Sequence, residues 1–339
     1  MRSLALMVDE YQFWMGGILA TQLEEITDDP KKVSDGGFWA ALISFEGVST
    51  FARFSKVEKS DFPRREWKPL SGVWSSSLGR EDYIEYVSQI RETISRGGVY
   101  QVNACRWLSN EMDKSSLGLS GLFSKLLDEN PAPYASYLNI PGLEIASASP
   151  ELFLSRSGKM IKTSPIKGTI REDEPSFGEK DKAENLMIVD LMRNDFGRIC
   201  KPGTVDVSEL FRHEKHPGLV HLVSDVKGEL KEGVTSEEIL RATTPPGSVS
   251  GAPKSAALAM ISQVEGARGP YCGALGWIDG AEALLSVAIR TFWKSDDDVV
   301  RFGTGAGITW GSDPELEWEE TQLKARKLIS IAGGALSGS

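Results

Sequence analysis

Short apolar or alternating runs, each closed within a few residues by glycine, proline or asparagine, recur along this 339-residue chain. Runs of that length predict strands. Phe38-Trp39-Ala40-Ala41-Leu42-Ile43 is wholly apolar and predicts a buried strand, whereas 99–104 alternates, so that Gln101 and Asn103 share a face. Residues 134–138, 143–148 and 284–292 predict further strands. Helical spacing stands apart from these runs: Tyr83, Tyr86, Val87, Ile90 and Ile94 recur at that period until Gly97-Gly98 ends the segment. Helices are also predicted over 117–127, 178–198, 236–242 and 255–265, and a last one starts at Asp313-Pro314. Ala183, Leu186, Met187, Ile188 and Val189 predict that the 178–198 helix is mostly buried. The chain therefore mixes α and β elements, and residues 1–80 carry no recognisable chemistry.

Composition excludes several functions. The 38 basic and 48 acidic residues give a net charge of -10, which disfavours nonspecific binding to nucleic acid or to an anionic membrane surface. Cys105, Cys200 and Cys272 have no pairing or metal-ligand spacing and read as buried thiols in a reducing compartment. Asp9 and Glu10 interrupt the N-terminal apolar residues before a signal-length run develops, and no run approaches the roughly 20 residues of a membrane span. A cytoplasmic location is expected.

Polar residues in unusual places supply the candidate chemistry. Lys167 lies in Ser164-Pro165-Ile166-Lys167-Gly168-Thr169, between a proline-stiffened entry and a glycine exit; alone, it reads as a solvated loop charge. Glu151 opens an apolar strand as either a cap or a functional carboxylate, and beside Leu152 and Phe153 its pKa should rise. Asp181 and Glu184 share a helix face, as complements to the helix dipole or as ligands for a hard cation. His221 alternates within a strand-like run, where a hydrogen-bonding role is preferred to a zinc site with His213 and His216. The run 245–254 makes a tight loop before a helix, whose N-terminal end suits an anion. Arg290 is the only charge in 284–292 and calls for a carboxylate partner. Glycines 303, 305 and 307 permit close backbone approach, and Glu317, Glu320 and Lys324 form one helical stripe, by itself an exposed ion-pair ladder.

Taken in order, Pro165-Ile166-Lys167-Gly168-Thr169, the run from Asp181-Lys182-Ala183-Glu184-Asn185 to Arg193-Asn194-Asp195, Ser250-Gly251-Ala252-Pro253-Lys254, Gly305-Ala306-Gly307-Ile308 with Asp313-Pro314, and Glu319-Glu320-Thr321 resemble the chorismate-utilising enzymes. The resemblance covers about 80–330. It implies one α/β (α+β) unit of two large antiparallel sheets packed as a sandwich with outer helices, a cleft, Mg²⁺ and chorismate. Residues 1–80 are then a reduced N-terminal part, 81–332 the catalytic core and 333–339 a flexible tail.

By the same resemblance, Glu184 and Glu320 match the metal ligands, with Asp181 and Glu317 one turn away. Arg290 and Tyr271 match a substrate-carboxylate clamp, together with amides near Gly305 and with Lys324. Ser248 and His221 match the ring pocket, Thr169 a substrate contact, and Glu151 the general acid for the C4 hydroxyl. Glutamine at 101 disfavours water as nucleophile, since it cannot serve as a base. Lysine at 167, where anthranilate synthases carry alanine, resembles aminodeoxychorismate synthase component I and implies a covalent adduct. That reading implies conversion of chorismate to 4-amino-4-deoxychorismate, toward 4-aminobenzoate and folate, with ammonia from a glutamine amidotransferase subunit. Alternatives are an anthranilate or 2-amino-2-deoxyisochorismate synthase, and a noncatalytic chorismate-binding regulatory subunit. The Leu-Leu-Glu-Ser run associated with tryptophan binding is absent, and 170–180 is acidic where relatives carry a basic run.

Overall fold

The structure is a computed structural model that describes residues 11–113, 118–171, 173, 176–216 and 219–337. The expectation for the acidic loop at 170–180 lies partly outside them, as does the N-terminal segment. In chain order, β1 (Gln12–Met15), β2 (Ile18–Thr27), β3 (Phe38–Ile43), β4 (Ser49–Lys59) and β5 (Leu70–Ser76) precede α1 (Arg80–Ser95). There follow β6 (Gln101–Glu111), α2 (Ser120–Glu129), β7 (Tyr134–Ile140), β8 (Leu143–Ser149), β9 (Leu152–Ser157), β10 (Met160–Ser164), β11 (Ile166–Arg171) and α3 (Glu179–Ile199). The last part contains β12 (Asp206–His216), β13 (Leu219–Glu229), α4 (Ser236–Thr243), β14 (Gly251–Ala252), α5 (Lys254–Val264), β15 (Ala274–Asp279), β16 (Glu282–Val287), β17 (Thr291–Lys294), β18 (Val299–Ile308), α6 (Pro314–Ala332) and β19 (Gly333–Leu336).

Antiparallel pairing builds two runs of strands. One proceeds β13-β10-β9-β16-β15-β3-β4-β2, with β11 and β12 also on β13. The other proceeds β7-β8-β17-β18-β6-β5, with β14 also on β6. Strand β1 pairs with both β2 and β7, so the two expected sheets are joined in one hydrogen-bonded network. The mixed α+β architecture is thus the expected one, with large antiparallel sheets and helices outside.

Side chains explain where the helices stop and what they cover. Asp313 accepts from the amides of Glu315 and Leu316, Pro314 opens the first turn of α6, and Gly333 leaves it at φ 96°. Its buried face, including Ala325, Leu328 and Ile329, shares a core with Trp74, Leu108, Phe123, Phe292 and Phe302. Arg106 ties α6 to β6: its guanidinium is 2% exposed, donates to Thr321 Oγ1 and Gln322 Oε1, and lies 4.2 Å from the Trp318 ring.

Three local expectations are corrected. Helix α3 is half-buried, because Leu186 and Ala183 face solvent while Asn185, Ile188, Val189 and Met192 face inward. The expected strand at 284–292 breaks at Ala288-Ile289-Arg290, where Arg290 takes φ 53°. The reason is topological: β16 pairs with β9 in one run, whereas β17 pairs with β8 in the other. Within the tail expected to be flexible, Gly333–Leu336 instead forms β19, parallel to β5, and the Gly333 carbonyl accepts from the Trp74 indole at 2.8 Å. Deleting 333–339 leaves that fully buried N–H without its acceptor, so urea unfolding should show a loss of about 2 kcal/mol. An unchanged midpoint would contradict this docking.

Candidate active site

Two of the places where the chain crosses between its strand runs are neighbours. Ser149-Pro150-Glu151 carries it from β8 to β9, and Ala288-Ile289-Arg290 from β16 to β17. The crossings are stitched together, since Val287 N donates to Glu151 O and Ala148 N to Arg290 O, each at 3.0 Å. Glu151 and Arg290 are thereby held side by side where the chain passes from one run to the other.

Glu151 is 4% exposed. Its carboxyl accepts from the Ser248 hydroxyl and the Ile166 amide, yet burial dominates and pushes its pKa up to about 7. Lys167, on β11, has its Nζ 2.8 Å from the Ser248 carbonyl. Burial pulls its pKa below the usual lysine value, against the attraction of Glu184 and Glu151. A Cβ placed on Gly307 would fall 2.7 Å from Gln101 Nε2 and 3.6 Å from Lys167 Nζ, so the bare glycine makes room for both. Gly168, at φ 87°, leaves similar room, since a Cβ there would meet Asp181 at 2.9 Å. Thr169 and His221 come together across β11 and β13, with Oγ1 and Nδ1 2.8 Å apart.

The carboxylates converge from two helices. Gln101 Nε2 lies 3.3 Å from Glu184 Oε2 on α3, and Lys180 Nζ lies 3.9 Å from both Glu184 Oε1 and Glu317 Oε1, the latter on α6. Burial raises the Glu184 pKa, with Asp181 and Glu320 adding repulsion. It raises that of Glu317 as well, again with Glu320 contributing. Glu320 goes the other way, because Lys324 lies 2.6 Å away. Lys324 also donates to the Gly305 carbonyl at 3.0 Å, which ties α6 to β18. The stripe on α6 is therefore no simple surface ladder, since Glu317 is 5% exposed.

Two predicted contacts stand differently. Arg290 feels the Glu151 charge, but no ion pair closes on its guanidinium among the described residues. Tyr271 lies with its ring against Gly303, and its charged neighbour is Arg268 beside Cys105 and Cys272; no hydrogen bond joins it to Arg290 among the described residues. Sequence reading also missed supporting residues. Asn185, fully buried next to Glu184, donates to Leu222 O at 3.1 Å and accepts from Ser224 Oγ at 2.5 Å, which fixes α3 on β13. A polar residue at an inward position of a periodic helix was the available signal. Lys180 was signalled by its i,i+4 spacing to Glu184.

Where the chain passes between its two antiparallel strand runs, the α+β fold gathers a buried acid, a lysine of lowered basicity and a group of carboxylates. The chain belongs to the chorismate binding enzyme family, whose model matches residues 44–330. It is 38% identical over 278 residues to anthranilate synthase component 1 of Aquifex aeolicus, covering 78% of this chain and 55% of that one. It is 35% identical over 303 residues to aminodeoxychorismate synthase component 1 of Escherichia coli, covering 85% and 65% respectively. The chain thus spans little more than half the length of the first of these relatives. In fold it is similar to the putative isochorismate synthase DhbC of Bacillus anthracis, with TM-score 0.82, 22% identity and coverage of 95% and 96%. Among the described residues no helix is long and apolar enough to cross a membrane.

Proposed function

We propose that this chain aminates chorismate to 4-amino-4-deoxychorismate, the product leading to 4-aminobenzoate and folate. The observation that carries this reading is the pairing of Lys167, its basicity lowered by burial, with Glu151, whose pKa of about 7 keeps a proton available near neutrality. Ser248 holds both, the hydroxyl on Glu151 and the carbonyl on Lys167.

The neutral Lys167 amine attacks C2 of the ring, the double bonds shift, and the C4 hydroxyl leaves as water with the Glu151 proton. The attached nitrogen then gives up a proton. Ammonia attacks C4 of the adduct, the shift reverses, and the C2–N bond breaks as its nitrogen takes a proton back, made good by the proton that the new ammonium at C4 gives up, so that the neutral Lys167 amine returns. Gln101 offers no base for water at C2. Arg290 is placed to receive a substrate carboxylate with its planar fork, and Thr169, His221 and Ser248 line the ring side. Lys324 and Gly305 frame the far side, and Tyr271 backs the strand at Gly303. Ammonia is supplied, in this reading, by a glutamine amidotransferase subunit.

The carboxylates fit Mg²⁺. They are hard oxygen donors that repel one another and already draw in Lys180 as a cation. Among the described residues no three acidic, imidazole or thiol groups close around an ion by themselves. Mg²⁺ takes one or two carboxylates and shares the rest of its shell with water and substrate oxygens. Glu184 and Glu320 would hold it, with Asp181 and Glu317 behind them; when bound, it neutralises a substrate carboxylate and polarises it.

The relative named anthranilate synthase component 1 supports the second reading, anthranilate or 2-amino-2-deoxyisochorismate as product. Mass spectrometry of products from chorismate, Mg²⁺ and ammonium salt separates the two. 4-Amino-4-deoxychorismate is expected, and anthranilate would sink the first reading. Chorismate binding without any turnover would point to a regulatory subunit.

A further inference from the structure

The carboxylates of α3 and α6 come with a counter-ion of their own. Lys180 is on the first turn of α3, one turn before Glu184, and its ammonium reaches across to Glu317 on α6, 3.9 Å from an oxygen of each. Glu184 and Glu317 are little exposed, at 18% and 6% of their side chains, and burial raises the proton affinity of both. The second oxygen of Glu184 already faces the Gln101 amide, and Lys324 is engaged by Glu320 at 2.6 Å and by the Gly305 carbonyl. Lys167 also offsets the charge of Glu184 from the β11 side and Lys324 that of Glu317, but Lys180 is the cation paired with Glu184 and Glu317 together, and it bridges the two helices that carry the acid group. Its own side chain is 57% exposed, so it can swing into solvent without disturbing the core.

Building on the reading of these carboxylates as the Mg²⁺ site, we infer that Lys180 is an internal competitor for that ion and sets its affinity. A divalent cation approaching Glu184 meets an ammonium at the same oxygens and must displace it. Part of its binding energy is then spent on parting Lys180 from Glu184 and Glu317. The affinity for Mg²⁺ alone is correspondingly weakened, and chorismate, which brings its own carboxylate, makes up the difference. Entry of the metal also parts the contact by which Lys180 links the first turn of α3 to α6.

The test is titration of the full chain with MgCl2 alone, without chorismate, by calorimetry. Two exposed-type ion pairs are at stake, so Lys180→Met should bind Mg²⁺ about three- to tenfold more tightly than the unaltered chain. Lys180→Arg keeps the charge and should stay within about twofold of it. Unchanged or weaker binding by Lys180→Met, with the unaltered chain binding normally, would overturn the competitor role and leave the metal reading standing. If neither binds Mg²⁺, with or without chorismate, the metal reading fails and this inference with it. Far-ultraviolet circular dichroism of each variant checks the fold, which an exposed side chain at a helix start is not expected to affect.

Discussion

Lys167→Ala should lower amination of chorismate at least about a thousandfold, with Mg²⁺ and ammonium both saturating. The reasoning is that the lysine does more than bind. Removing a nucleophile takes away the step that splits a difficult displacement into two easier ones, and such losses are large because the remaining groups are arranged around it. Its amine is also held in place by the Ser248 carbonyl at 2.8 Å and faces Glu151 and Glu184 electrostatically, so no neighbouring group can take over. Fold stability should fall modestly, since the Ser248 carbonyl loses its donor and Glu184 a nearby positive charge. Two measurements decide: turnover by product mass spectrometry, and peptide mapping of chorismate-treated protein for an adduct on residue 167. Unimpaired turnover in the alanine variant would remove the covalent mechanism while leaving family membership intact.

Glu151→Gln should cost roughly a hundred- to ten-thousandfold in turnover, the usual worth of a placed general acid. It makes a second, opposite prediction about stability. The folded chain holds the Glu151 proton to about pH 7, against an ordinary glutamate value of 4.5, because burial penalises the anion. A carboxyl with a raised folded pKa contributes its full stability below about pH 4.5 and loses it as the pH rises through about 7. At about 1.36 kcal/mol per pH unit, the loss above pH 7 is roughly 3 kcal/mol. Glutamine has no proton to lose, so the variant should be the more stable protein at pH 8 and about equal to the parent near pH 4. In the parent, kcat/KM should fall as the pH rises above about 7, and the variant should lack that limb. A variant that is inactive and also less stable at pH 8 would mean that Glu151 has a purely structural part.

Much of the chain was legible residue by residue. The period of Tyr83, Tyr86, Val87 and Ile90 with the Gly97-Gly98 stop placed α1, and Asp313-Pro314 placed the start of α6, because caps and apolar spacing act within one or two turns. The raised pKa of Glu151 followed from its apolar neighbours in sequence, Leu152 and Phe153, both buried in the fold. Other features were not legible. Periodicity in 284–292 describes which face a residue takes, not which strand lies beside it, so it could not show that the chain changes sheets at Arg290. Likewise, nothing around Gly333 announced that a tryptophan from residue 74 would anchor it.

From the sequence alone came the residue types, their order and the local elements, and with the resemblance they carry, the family and the named acids and lysines. Those are properties of neighbouring residues and of motif spacing. Tertiary structure decided how they meet. Two crossings between strand runs put Glu151 beside Arg290, β11 laid Lys167 against Ser248, and α3 and α6 brought Glu184 and Glu317 to one ammonium. Burial and charge at a site are sums over groups distant in the chain, so the lowered basicity of Lys167 exists only once the fold has formed.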